Sequence, residues 1–207
     1  MRILTLAPET KTRTRAVLED GRSLVFSNRE LSGYGFREGD EIPDDAWEEV
    51  LAAQRKLCLQ KCGSLLADAD YSEKALLDKL LRAGFLEETA RACVSAMVDA
   101  HYVDDERFAR SYLSRHLSDR SLKRIRFDLE GKGVSETAID RAFSEVSEEE
   151  DFGSAELEQA IRLLEKRRFP FGEADYARRT KEAAYLYGKG YQGEVIRKAL
   201  EGRRGES

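Results

Sequence analysis

Proline is scarce here, and its scarcity is informative. Three prolines in 207 residues leave long stretches free to run as uninterrupted helix, because proline removes a backbone donor and clashes with the preceding turn. Cysteine is scarce too: Cys58, Cys62 and Cys93 are an odd count in a helical context. No signal-like segment follows the Met1-Arg2-Ile3-Leu4 start, so reduced thiols in a cytoplasm are expected rather than a disulfide framework. No apolar run approaches the roughly 18 residues that span a bilayer, so no membrane contact is expected. An excess of positive charge is also missing. Lys and Arg number 35 against 40 Asp and Glu, a formal net charge of −5, which argues against a general polycation; contact with nucleic acid must come from a segregated basic face.

What is present is charge of both signs. Charged residues make up 36% and hydrophobic ones 41%, and mean hydropathy is −0.58, so the core must be spread thinly over slender elements. The length suits one or two domains. The first 43 residues read as a small β-type segment: Ile3-Leu4-Thr5-Leu6, Arg13-Thr14-Arg15-Ala16-Val17-Leu18 and Ser23-Leu24-Val25-Phe26 favour strands. Asp20-Gly21 between the last two is a two-residue hairpin signal, so a hairpin or three-stranded ribbon is expected. Gly33, Gly35 and Gly39 then loosen the chain.

From Ala46 onward the apolar residues recur at helical spacing, and the layout repeats. Leucine stands four residues before each of Gly84, Gly133 and Gly190, and Phe85, Val134 or Tyr191 follows each glycine. Ala90, Ile139 and Ile196 lie six residues beyond. The glycines are 49 and 57 residues apart, about right for three helices per unit. The spacing therefore predicts nine helices in three tandem helix-turn-helix-like repeats over 44–101, 102–147 and 148–207, a mainly α fold forming an elongated curved rod. Gly84, Gly133 and Gly190 are structural corners, where a left-handed helix end favours glycine and the next apolar residue pins the turn. The acidic stretch Ser147-Glu148-Glu149-Glu150-Asp151-Phe152-Gly153 is expected to be a flexible joint. A second break, at Arg168-Phe169-Pro170-Phe171-Gly172, falls inside the third repeat.

Chemistry-bearing clusters are few. Asp104, Asp105 and Glu106 could hold a cation or move a proton, but three acids in a first helical turn are better read as a helix cap that complements the helix dipole. Cys58 and Cys62 share a helix face, and with His101 they fall short of a zinc set in spacing and in number. No metal, cofactor or catalytic group is expected, and His116 has no evident partner. The functional weight falls on cations. Arg115, Arg120, Lys123, Arg124 and Arg126, with Lys132 at the corner, crowd the second repeat, and Lys166, Arg167, Arg168, Arg178, Arg179 and Lys181 the third. Leu122, Ile125 and Leu129 take the inward face of one helix, so Lys123, Arg124 and Arg126 point outward or sideways, where they can meet phosphates or acidic side chains. Most aromatics of this half (Phe127, Phe169, Phe171, Tyr176, Tyr185, Tyr187, Tyr191) read as core by spacing; Phe127, and Phe169 with Phe171 in their loop, are the better candidates for a partner contact.

Val103-Asp104-Asp105-Glu106-Arg107-Phe108-Ala109, followed by a basic helix and the Lys132-Gly133 corner, resembles the central motif of the RecX family. Ser72-Glu73-Lys74 with Leu76, Gly84 and Phe85 is similar to its first-unit signature, and Tyr185-Leu186 with Lys189-Gly190-Tyr191 to its C-terminal one. The likeness runs from about Ala46 to Leu200. It implies a non-enzymatic, cytoplasmic regulator of homologous recombination, DNA repair and the SOS response. Such a protein lies in the groove of the RecA filament on single-stranded DNA and inhibits ATP hydrolysis and strand exchange. RecA and single-stranded DNA are the implied partners, with duplex DNA as a further one, and a monomer is expected. The alternative is a helix-turn-helix-like protein that acts directly on DNA, since a basic helix and a tight glycine turn also fit that plan.

Overall fold

Along Arg13–Leu18 every second residue is buried, the alternation of a sheet with one face on a core. In the computed structural model, which describes residues 1–202, strands β1 (Ile3–Thr10), β2 (Arg13–Leu18) and β3 (Ser23–Ser27) form an antiparallel sheet in that order. The turn between β2 and β3 differs from the expected two-residue hairpin: it has four residues, closed by Leu18 N–H to the Arg22 carbonyl at 2.8 Å, with Gly21 left-handed at φ 83°. Ile3, Leu18, Leu24, Phe26 and Val50 form the core beneath the sheet. Gln54 closes the outer edge of β3, accepting from Val25 N–H at 3.0 Å and donating to the Val25 carbonyl. A side-chain amide thus stands where a further strand would otherwise pair.

Ten helices, not nine, are found among the described residues. The additional one, α1 (Asn28–Tyr34), begins with a reciprocal capping box between Ser27 and Glu30. That Ser-x-x-Glu signal is plain in the sequence. The glycines behind it favour loop and mask it.

The chain divides into two compact units, Met1–Asp104 and Asp105–Ser207; residues 203–207, the end of the expected third repeat, lie outside the described residues. In the first unit, α2 (Asp44–Asp68), α3 (Glu73–Arg82) and α4 (Glu87–Asp99) enclose Cys58, Cys62, Leu76, Leu80, Phe85 and Cys93. The second holds α5 (Asp105–His116), α6 (Leu122–Gly131), α7 (Glu136–Glu149), α8 (Phe152–Lys166), α9 (Tyr176–Gly188) and α10 (Gly193–Glu201). One of its cores gathers Leu113, Ile125, Leu129 and Ile139, and the other Ile161, Leu164, Leu186 and Ile196. Most starts are marked by short polar side chains, which satisfy a first-turn amide: Ser72, Ser121, Ser135, Asp151 and Asp175 each accept from the amide three residues on.

The repeated corners share one backbone. Phe85, Val134 and Tyr191 donate N–H to the carbonyls of Leu80, Leu129 and Leu186, each at 3.2 Å, and the preceding glycines donate to the next carbonyl along. This pair of hydrogen bonds is the Schellman helix end. Gly84, Gly133 and Gly190 take φ of 85°, 81° and 94°. The apolar residue that follows is 3 to 4% exposed in all three. Two other helix ends repeat the pattern without glycine, at His101 (φ 58°) and Arg168 (φ 53°).

The expected flexible joint is instead a tight corner. Only Glu150 and Asp151 separate α7 from α8, Asp151 caps α8, and Phe152 meets the Phe143 ring edge-on at 6.0 Å. The acids that suggested a linker are the last turn of one helix and the cap of the next.

A methyl group at Gly190 would lie 2.7 Å from Ser121 Oγ on a left-handed backbone. Gly190→Ala is therefore expected to cost about 1 to 2 kcal/mol in urea unfolding, whereas Arg168→Gly, which relieves the same backbone strain, is expected to be neutral or to stabilise by up to about 1 kcal/mol. Equal losses in both would contradict this account of the corners.

Candidate binding surface

Helix α6 turns Ile125 and Leu129 fully inward and leaves Lys123 and Arg124 exposed. Its first turn is satisfied largely by groups from outside the helix. Ser121 Oγ accepts from Arg124 N–H at 3.3 Å and donates to the Lys189 carbonyl at 2.8 Å, at the residue that closes α9. The Glu156 carboxylate of α8 accepts from Leu122 N–H at 2.8 Å. Gln159 of α8 donates to the Leu117 carbonyl and accepts from the Tyr191 hydroxyl at 3.0 Å. These buried polar groups join the second repeat to the third.

Burial pushes the Glu156 carboxyl above the usual range, and the Leu122 N–H only partly opposes it. The Tyr191 hydroxyl is pushed up to about 12, by burial first and the Glu156 charge second. Beside this seam opens a cleft of about 630 Å³, lined by Tyr112, Arg120, Arg124, Lys132, Lys189 and Tyr191 together with Asp119 and Asp128.

Asp128 organises the cleft. It receives Arg120 at 2.7 Å and Arg124 at 3.0 Å, and Arg120 also donates to the Tyr112 hydroxyl at 2.7 Å. Burial works against the Arg120 charge, but the hydrogen bond to Asp128 prevails, and its pKa is raised. Arg120 and Lys132 lie 5.9 and 5.4 Å from the centre of the Tyr112 ring, within cation–π range. In the third repeat Glu182, with no exposed side-chain surface, holds Arg167 and Arg178. The hydrogen bond from Arg167 is the main reason its carboxyl falls below the usual range.

The cations named from sequence thus fall into two sets. Arg120, Arg124, Arg126, Arg167 and Arg178 are tied into ion pairs, Arg126 with Asp140 at 2.7 Å and over the Phe143 ring; Arg179 donates to the Ala174 carbonyl. Arg115, Lys123, Lys166, Arg168 and Lys181 are exposed, and none is held in an ion pair among the described residues. Lys189 also lines the cleft, a role the sequence hides because the glycine beside it dominates that corner. Asp104 immediately precedes α5, and Asp105 and Glu106 occupy its first turn.

The aromatics need a correction. Phe127, Tyr176 and Tyr187 are 62, 86 and 71% exposed, whereas Phe169 is buried, edge-on to Phe171. Helical spacing places Tyr176 and Tyr187 in the core, but in the fold they stand on the polar flank of α9, near its two ends. Cys58, Cys62 and Cys93 are free and buried. Hydrogen bonding to Cys62 and Cys93, with burial, pushes the Cys58 thiol up. Among the described residues no group of three or more His, Cys, Asp or Glu side chains is arranged to hold a metal ion, and no helix is long and apolar enough to cross a membrane.

The fold and this surface define a class: tandem three-helix repeats, closed by matching corners, that carry a cationic cleft between two of them. Residues 104–142 match the second three-helix domain of RecX and residues 154–200 the third. Similar proteins include the regulatory protein RecX of Caldanaerobacter subterraneus subsp. tengcongensis, 29% identical over 80% of this chain and 81% of that one. The regulatory protein RecX of Vibrio campbellii is 31% identical over 66% of this chain and 84% of its own. Among solved structures, a crystal structure of regulatory protein RecX superposes with a TM-score of 0.63 at 21% identity, covering 95% of this chain and 97% of the other. RecX from Lactobacillus salivarius gives a TM-score of 0.60 at 18% identity over 71% of this chain and 94% of its own. The chain belongs to the RecX family.

The two buried carboxylates carry opposite pH signatures. Glu156 is raised in the fold, so its contribution is most favourable below the ordinary glutamate value near 4.3 and is lost as pH rises through the higher folded value. Glu156→Gln is therefore expected to gain on the native protein at neutral pH, with the gain shrinking as pH falls. Glu182 is lowered, so its contribution is present above the ordinary value and is lost as pH falls through the folded one. Glu182→Gln is expected to cost about 2 kcal/mol at neutral pH, with the cost fading in acid. Denaturant titrations at several pH values check both, and parallel profiles for the two variants would contradict the assignment.

Proposed function

We propose that this protein is a non-catalytic regulator of homologous recombination and DNA repair, which binds the RecA filament on single-stranded DNA and restrains its ATP hydrolysis and strand exchange. The observation that carries the reading is a series of exposed cations outside ion pairs that recurs along the repeats of a chain of net charge −5: Arg55, Lys56 and Lys74 on the first, Arg115 and Lys123 on the second, and Lys166, Arg168 and Lys181 on the third. Family membership supports it, since the relatives are named regulatory proteins. Repeats that each contact a different protomer of a polymer gain by multivalency, so the assembled filament is expected to bind better than free RecA or bare DNA.

The helix-turn-helix alternative is disfavoured by the helix that follows the glycine corner. In that plan the second helix of the turn enters the major groove. Here α7 carries Glu136, Asp140, Glu145, Glu148 and Glu149 against the single cation Arg141, and such a face repels phosphates.

Addition of the protein at saturation is expected to slow the single-strand-dependent ATP hydrolysis of RecA. Lys123→Ala, Lys166→Ala and Lys181→Ala together are expected to lose most of that slowing, while each exposed change alters stability by within about 0.5 kcal/mol. Unchanged hydrolysis with the native protein would remove the proposal.

A further inference from the structure

We propose that Cys58 and Cys93, buried together between α2 and α4, are a redox-modification site: hydrogen peroxide joins them in a disulfide that clamps the first repeat. The chemistry is independent of the function proposed above.

Three thiols meet in one core. Cys58 and Cys62 stand four residues apart on α2, Cys93 stands on α4, and none has exposed surface. Cys62 and Cys93 each share a hydrogen bond with Cys58. Cys93 also lies against the backbone of α2, its Sγ donating to the Arg55 carbonyl at 3.8 Å.

Geometry selects the pair. β-Carbons four residues apart on a helix are separated by about 5 to 6 Å, whereas a disulfide needs about 3.5 to 4.5 Å. Cys58 and Cys62 therefore cannot join without unwinding α2. Cys93 approaches Cys58 from a second helix and is not bound by that spacing. Hydrogen bonding from Cys58 holds the Cys93 thiol below its usual value; burial opposes this and the Arg55 charge adds to it. Cys62 is lowered by Cys58 too, but no arginine assists it. Since the thiolate is the nucleophile, Cys93 attacks first and Cys58, which keeps its proton, resolves.

The Cys93 thiolate attacks one peroxide oxygen and the O–O bond breaks. The departing hydroxide takes up the proton that Cys93 released and leaves as water, with a sulfenic acid on Cys93. The Cys58 sulfur then attacks the Cys93 sulfur, and the Cys58 proton and the sulfenic hydroxyl leave as a second water. Two thiols are oxidised to one disulfide while one peroxide is reduced to two waters. Peroxide is small and uncharged, so a local opening of the α2–α4 contact admits it, and a resolving thiol in contact stops the oxidation short of sulfinic acid. The loop closed by the bridge contains α3 and the Gly84 corner, so the bridge restricts the unfolded first repeat. It also ties down the stretch of α2 that carries the exposed Arg55 and Lys56.

The test is a non-reducing tryptic map of the full-length protein after treatment with hydrogen peroxide and alkylation under denaturing conditions. Cleavage after Lys56, Lys61 and Arg91 puts the three cysteines on separate peptides. The expected product joins the peptide 57–61 to the one that begins at Ala92, is lighter than their sum by two hydrogens and separates in dithiothreitol, with Cys62 recovered alkylated. Cys62→Ala is expected to keep the bridge and Cys93→Ala to lose it; the native map decides the pairing even if a variant fails to fold. Trp47, the one tryptophan of the chain, reports the first unit, and its thermal transition is expected to rise by at least about 5 °C in the bridged protein and to return on reduction. A bridge through Cys62, a bridge between two chains, sulfinic acid at Cys93 without a bridge, or recovery of all three thiols alkylated would overturn the proposal. An unchanged or lowered Trp47 transition in the bridged protein would overturn the clamp.

Discussion

A single hydroxyl ties the second half of this protein together. Ser121 caps the basic helix α6 and at the same time donates to the Lys189 carbonyl just past α9, so the middle helix of one repeat and the corner of the next cannot separate without exposing both ends of the bond. Glu156 and Gln159 add two further bonds across the same seam. All three side chains are buried, where an unmet polar group costs about 1 to 3 kcal/mol. Gly190 makes the approach possible, because any β-carbon there would collide with the serine. The cleft is a consequence: its walls are α6 with the turn before it and the corner after α9, held at a spacing that the seam sets.

The same economy governs the charges. Asp128 and Glu182 each draw two arginines onto a partly or wholly buried carboxylate, which orders the local structure and removes those cations from service as free charge. What remains for a partner is the exposed set, with lysines prominent in it. Lysine suits that role, since its ammonium is a compact point charge on a flexible stem, whereas the forked arginine guanidinium is well matched to the carboxylates that hold it here.

Much of the fold is legible because its punctuation is local. The three glycine corners, the serine caps at Ser72, Ser121 and Ser135, and the leucines four residues before each corner all act within a turn of chain, and periodicity exposes them. The candidate site is less so. Arg124–Asp128 and Arg178–Glu182 are pairs four residues apart on one helix, a spacing the sequence displays, but Arg120–Asp128, Arg126–Asp140 and Arg167–Glu182 span two helices or a loop, and there a one-dimensional reading sees only the cations. The acidic run before Phe152 misleads for a related reason. Glutamates that look like a linker in isolation finish a helix once Val146 and Phe152 are packed on the second core. Helix α1 shows the opposite case, a capping box in plain view that neighbouring glycines obscure.

The buried seam should make the second and third repeats one cooperative body. Native-state hydrogen exchange of the full chain under increasing denaturant tests it most directly, with the core amides of α5, α6, α8 and α9 followed together. These amides are expected to merge onto a single unfolding isotherm before global unfolding is reached, as a cooperative unit does. Separate isotherms for α5–α7 and α8–α10, persisting to the global transition, would contradict it.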